Sequence, residues 1–121
     1  MPKQLNLDIA TRVDITCRKG DTFRMEIDFE DTQTLTGWKM EVRTHDTDDT
    51  TSLPGPFLDG FTFALQNNAE GVEDAVLVVT KAASDMDVTS GLYVYDIQQA
   101  DTTVKTYLYG VFKINEDITL T

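Results

Sequence analysis

The stretch Phe23-Arg24-Met25-Glu26-Ile27-Asp28-Phe29 alternates apolar and charged side chains without a break. Successive side chains of an extended strand point to opposite faces. Phe23, Met25, Ile27 and Phe29 therefore share one face, and Arg24, Glu26 and Asp28 the other. The same pattern returns where Trp38, Met40 and Val42 alternate with Lys39, Glu41 and Arg43. Both runs read as half-buried antiparallel strands of a sheet with one solvated face. The connection between them, Glu30 to Gly37, closes on a glycine, as a turn does.

Working outward, Phe61-Thr62-Phe63-Ala64-Leu65 is a further short alternating strand, and Ala75 to Thr80 is a continuous apolar run suited to deeper burial. Leu92 to Gln98 sets Tyr93, Tyr95 and Ile97 on one face, with Leu92, Val94 and Asp96 on the other. Val104 to Ile114 is long, and its pattern shifts phase from Tyr107 and Tyr109 to Phe112 and Ile114. Gly110 lies between, so a bulge or a crossing between sheets is expected there. Leu5, Leu7 and Ile9, then Val13 and Ile15, offer one or two strands at the start, and Ile118 and Leu120 a short one at the end. A single helical turn is expected within Thr80 to Asp87. Strands at this spacing with almost no helix between them predict an all-β sandwich or barrel of antiparallel strands.

The 121 residues suffice for one hydrophobic core, and the 40% of hydrophobic residues is ordinary for a globular chain. We expect residues 1–12 to form an N-terminal arm or edge strand, and residues 13–121 a single sandwich domain. The formal net charge of -11 repels phosphate backbones and anionic lipid, which argues against nucleic-acid or membrane partners. Acidity of this size also serves solubility alone. Residues Met1 to Asp8 show no basic region followed by an apolar run, and no stretch reads as a transmembrane helix, so synthesis in a reducing cytosol is expected.

Chemistry has few places to reside. Cys17 is the single cysteine and His45 the single histidine, and neither falls in a recognisable nucleophile signature. The acidic cluster Asp46, Asp48 and Asp49 fails as a helix-flanked calcium loop. Counting from Asp46, the sixth and twelfth positions hold Thr51 and Phe57, where that loop needs glycine and glutamate. No phosphate-cradling glycine loop is present. The expectation is a protein without catalytic residues, metal, cofactor or small-molecule substrate. Tyr93, Tyr95, Tyr107 and Tyr109 suit core and cross-strand packing, with a carbohydrate-stacking platform as the alternative.

Certain segments, read in order, resemble a known group. Lys19-Gly20-Asp21-Thr22-Phe23 leads into one strand, Leu35-Thr36-Gly37-Trp38 opens the next, and Gly91-Leu92-Tyr93-Val94-Tyr95-Asp96-Ile97 follows later. Thr106 to Phe112 and Glu116-Asp117-Ile118-Thr119 complete the series. Over roughly residues 13 to 119 this order resembles small tailed-phage virion proteins, and is similar to the N-terminal domain of phage baseplate upper proteins. The resemblance implies an immunoglobulin-like β-sandwich of about seven to nine strands. It also implies a non-enzymatic structural component of a bacteriophage virion: a baseplate or tail, neck or head-fibre adaptor made in the bacterial host cytoplasm. Its partners would be other phage structural proteins and further copies of itself.

Within that reading two segments are candidates for the protein interface. An arm carrying Leu5, Leu7 and Ile9 has the alternation needed to add as a strand to an open sheet edge. The stretch Thr44 to Gly60 is long for a loop in a compact domain and carries Phe57 and Leu58, which would anchor it to the core or to a neighbour.

Overall fold

A computed structural model describes residues 10–44, 57–101 and 103–117. Leu5, Leu7, Ile9, His45, Asp46, Asp48, Asp49, Ile118 and Leu120 lie outside them, as does most of the Thr44–Gly60 stretch. In chain order the strands are β1 Thr11–Arg12, β2 Ile15–Arg18, β3 Phe23–Asp28, β4 Trp38–Arg43, β5 Thr62–Gln66, β6 Val76–Lys81, β7 Gly91–Ala100 and β8 Val104–Asn115. A four-residue 3-10 turn, Ala83–Met86, links β6 to β7 and buries Met86. The single helical turn therefore sits within the expected Thr80–Asp87 window.

Among the described residues the eight strands make two sheets. Strands β3, β6 and β5 form one, in that order, all antiparallel. The other runs from the β1–β2 edge through β8 and β7 to β4. Lettered by position, β3, β5 and β6 are the B, D and E strands, and β4, β7 and β8 the C, F and G strands, of an immunoglobulin-like sandwich. The all-β, immunoglobulin-like expectation thus holds. One pairing departs from it: β1 and β2 run parallel to β8, with Thr11 opposite Leu108 and Ile15 opposite Phe112.

Between the sheets lies the core. Met40, Val42, Leu77, Val79, Ile97 and Phe112 are fully shielded from solvent, each contributing roughly 1.5–3 kcal/mol by leaving water. Phe23 packs against Phe61 and Phe112 at centroid distances of 5.6 Å, and the Phe112 ring meets Tyr95 edge-on. Toward one end, Trp38 stacks on Phe29 and touches Tyr107, while its indole N–H donates to the Thr34 carbonyl at 2.7 Å.

The phase shift in β8 arises at a different residue from the one expected. Ile97 faces Leu108, but Gln98 faces Thr106, so Tyr107 is the extra residue of a bulge. Its ring turns onto Phe29 and Trp38, which lets two neighbours, Tyr107 and Leu108, both face the interior side. Gly110 keeps the regular phase and is buried, and its role is a close approach described below.

Candidate interaction surface

Three residues tie the first strand to the last. The Val13 carbonyl sits where a Cβ on Gly110 would be, at 2.4 Å, so only glycine lets the two backbones approach this closely. Across β7, Tyr95 lies opposite Gly110 and donates its hydroxyl to the same Val13 carbonyl at 2.5 Å. Asp14 then accepts the Val111 N–H at 3.0 Å, replacing the ladder bond that the backbone gives up at this point. Burial pushes the Tyr95 phenol from 10.0 up to about 12, and the Asp14 carboxylate adds to that. The Val111 N–H, and then the Arg12 guanidinium, hold the Asp14 carboxyl below its ordinary value.

Tyr93 forms a second tie. It lies near the start of β7 and donates its hydroxyl to the Thr89 carbonyl at 2.6 Å, four residues upstream. That geometry is the tyrosine corner of immunoglobulin-like domains. Two residues on, where an antibody domain has its cysteine, stands Tyr95.

Outside the core, the solvent face of the five-stranded sheet is organised in rows across the strands. One row runs Arg43, Val94 and Val111, with Asp14 at the far edge. The next runs Glu41, Asp96, Tyr109 and Arg12. A third holds Leu92, Lys113 and Thr16. Leu92 is 69% exposed and Tyr109 39%, and Val94 and Val111 are half-buried between them. Leu92, Val94, Val111 and Tyr109 therefore make a continuous apolar strip. Glu41 pairs with Lys39 at 3.2 Å and Arg43 at 2.9 Å along one side, and Arg12 with Asp14 at 3.2 Å along the other.

Of the expected interface residues, Phe57 and Leu58 are among the described ones, and both lie off this strip. Leu58 is 6% exposed, bridges Val42 backbone to backbone and belongs to the core, so it anchors its segment to the domain and not to a neighbour. Phe57 stacks on Tyr93 with 4.2 Å between centroids, which anchors that segment to the domain itself. Leu5, Leu7 and Ile9 lie outside the described residues. The apolar strip is hidden in the sequence because the outer residues Leu92 and Val94 at the start of β7 are as apolar as its inner ones, so alternation alone gives them no distinct meaning.

Tyr93 and Tyr95 are buried and Tyr107 is half-buried in the Phe29–Trp38 cluster, which leaves Tyr109 as the exposed tyrosine among the described residues. Cys17 is half-buried, and burial, followed by the Asp21 carboxylate, raises its thiol above the ordinary value. A raised thiol carries little thiolate near neutrality and makes a poor nucleophile. Among the described residues no three His, Cys, Asp or Glu side chains gather as metal ligands, and no helix is long and apolar enough to cross a membrane.

No family model matches the chain, and no curated protein does. Among solved structures, it is similar to an extracellular domain of the voltage-gated sodium channel beta4 subunit, described as forming parallel homodimers with a role in cell–cell adhesion. The match covers 97% of this chain and 100% of that one, at 8% identity and a TM-score of 0.32. Likeness at that level carries no argument about function or assembly.

Proposed function

We propose that this chain is a non-enzymatic structural component of a bacteriophage virion, an adaptor in baseplate, tail, neck or head fibre that works through protein–protein contacts. The observation that carries the reading is the order of the segments that resemble baseplate upper proteins, three of which have a structural task in the sandwich. Gly20 accepts a left-handed turn before β3, with its N–H donating to the Met86 carbonyl. Gly37 lies so close to β7 that a Cβ would stand 2.0 Å from the Ala100 carbonyl oxygen. The Gly91–Ile97 segment supplies the tyrosine corner and the tie to Val13. Such a scaffold leaves the apolar strip of Leu92, Val94, Val111 and Tyr109 exposed as a surface for assembly. Its partners are other structural proteins of the particle, and it is made in the bacterial host cytoplasm.

The test is tandem mass spectrometry of gradient-purified particles, with antibody labelling in electron micrographs. Peptides of this chain should co-purify with particles at constant ratio across the gradient. Their loss during purification would overturn the assignment.

A further inference from the structure

We infer that the solvent face of the five-stranded sheet is a self-association surface, on which a second copy docks about a two-fold axis parallel to the strands between β7 and β8. The inference rests on the assembly reading above and gives it a specific partner. It differs from the arm and loop contacts expected from sequence.

The argument begins with charge. At -11 per chain, two copies repel wherever their acidic surfaces meet. This face carries Arg12, Arg18, Lys39, Arg43 and Lys113 against Asp14, Glu41 and Asp96, five cations to three carboxylates. It is therefore slightly positive on a strongly negative molecule, and it also holds the apolar strip of Leu92, Val94, Val111 and Tyr109. Apolar centre and charged margins are the anatomy of a protein interface.

The rows then fix the geometry. A half-turn about the stated axis keeps each row level and exchanges the two sides of the sheet, laying β7 over β8 of the second copy and β4 over its β1. Val94 meets the second copy's Val111 at the axis. In the same row Arg43 comes to the side of Asp14, and in the next row Glu41 comes to the side of Arg12. Every contact occurs twice, as an isologous interface requires. Sheets stacked face to face in this way lie about 10 Å apart with interleaved side chains. A half-turn about an axis perpendicular to the strands also sets Arg43 over Glu41 and Asp14 over Arg12, but it lays Val94 over Asp96 and so presses a carboxylate onto the apolar strip.

Sedimentation velocity from about 1 µM to about 500 µM tests this, a span that covers transient dimers as well as stable ones. The wild-type chain should sediment as a dimer at the upper end. Val94→Glu places a carboxylate at the axis without touching the core and should abolish the dimer. Arg12→Glu should weaken it at least about tenfold through repulsion by the second copy's Glu41. Adding Glu41→Arg to Arg12→Glu restores the pairing only between copies, because the two positions lie on opposite sides of one sheet, and should recover the dimer. Concentration-dependent amide shifts of the wild type provide a readout free of substitutions and should centre on Leu92, Val94, Tyr109 and Val111. A monomer throughout, a dimer indifferent to Val94→Glu, or shifts confined to the arm or the Thr44–Gly60 segment would overturn the proposal. Dimers of this kind from a chain absent from particles would sink the virion reading and leave the interface standing.

Discussion

Replacing Tyr95 by phenylalanine removes one oxygen atom from the tie between β1–β2 and the rest of the sandwich. At neutral pH the cost is the Val13 carbonyl left without its phenolic donor, about 1–2 kcal/mol. The alkaline range inverts this. In the folded wild type Tyr95 loses its proton only near pH 12, whereas the unfolded chain loses it near 10.0. Between those values the folded state holds the extra proton, so the stability of the wild type falls as pH rises. At ~1.4 kcal/mol per pH unit the total loss is on the order of 2–3 kcal/mol. Below the unfolded value the contribution is complete, and above the folded one it is gone. The phenylalanine variant has no such group. Its stability curve should therefore start below that of the wild type and meet it near about pH 11, where roughly half the alkaline loss has accrued. Urea titrations from pH 7 to about 11.5, followed by far-UV circular dichroism, give both curves. Every group that the two proteins share cancels in the difference. Curves that stay parallel from neutral to alkaline pH would refute the account of Tyr95 as a buried, protonated donor.

Two further outcomes follow from the same region. Gly110→Ala drives a methyl group into the Val13 carbonyl at 2.4 Å and toward the Asp14 carboxylate at 2.8 Å; it should cost about 1–3 kcal/mol, measured as a lower urea midpoint, with β1 and β2 the first segments to lose hydrogen-exchange protection. Asp14 has its carboxyl held below the ordinary 3.8 in the folded state, so its contribution is present above that pH and is lost as pH falls through the depressed folded value. Asp14→Asn keeps an acceptor for the Val111 N–H and removes the charge, and should flatten the acid limb of thermal melts below pH 3.8.

The strands that border solvent on one face could be read directly from the chain. Phe23 to Asp28 and Trp38 to Arg43 alternate because their outer residues meet water, and both appear as β3 and β4 with the expected faces. Other features depend on neighbours far along the chain. That β2 runs parallel to β8 is set by strands 97 residues apart, and no local pattern encodes direction over that distance. The bulge lies at Tyr107 and not at Gly110, because glycine is only the usual mark of an irregular strand, whereas here an aromatic residue fills the gap beside Phe29 and Trp38. Leu58 reads as loop from its Pro- and Gly-rich surroundings, yet it joins the core through Val42. The candidate surface was the least legible part. Its meaning lies in rows across four strands, and a row brings together residues as distant in sequence as Arg12 and Tyr109.

The parallel pairing of the first and last strands has a mechanical side. In β1, β2 and β8 the chain runs the same way, so a pull applied through residues 10 and 117 acts at opposite ends of that ladder. Such a load shears the strands along their length, and the bonds from Val13 to Tyr109, from Lys19 to Asn115 and those between share the force together. An antiparallel pair pulled from adjacent ends would instead unzip one bond at a time. The clasp at Tyr95, Gly110 and Asp14 stands near the middle of the loaded seam and resists the first slip of one strand past the other. The fold is therefore built to bear tension along its strands better than across them.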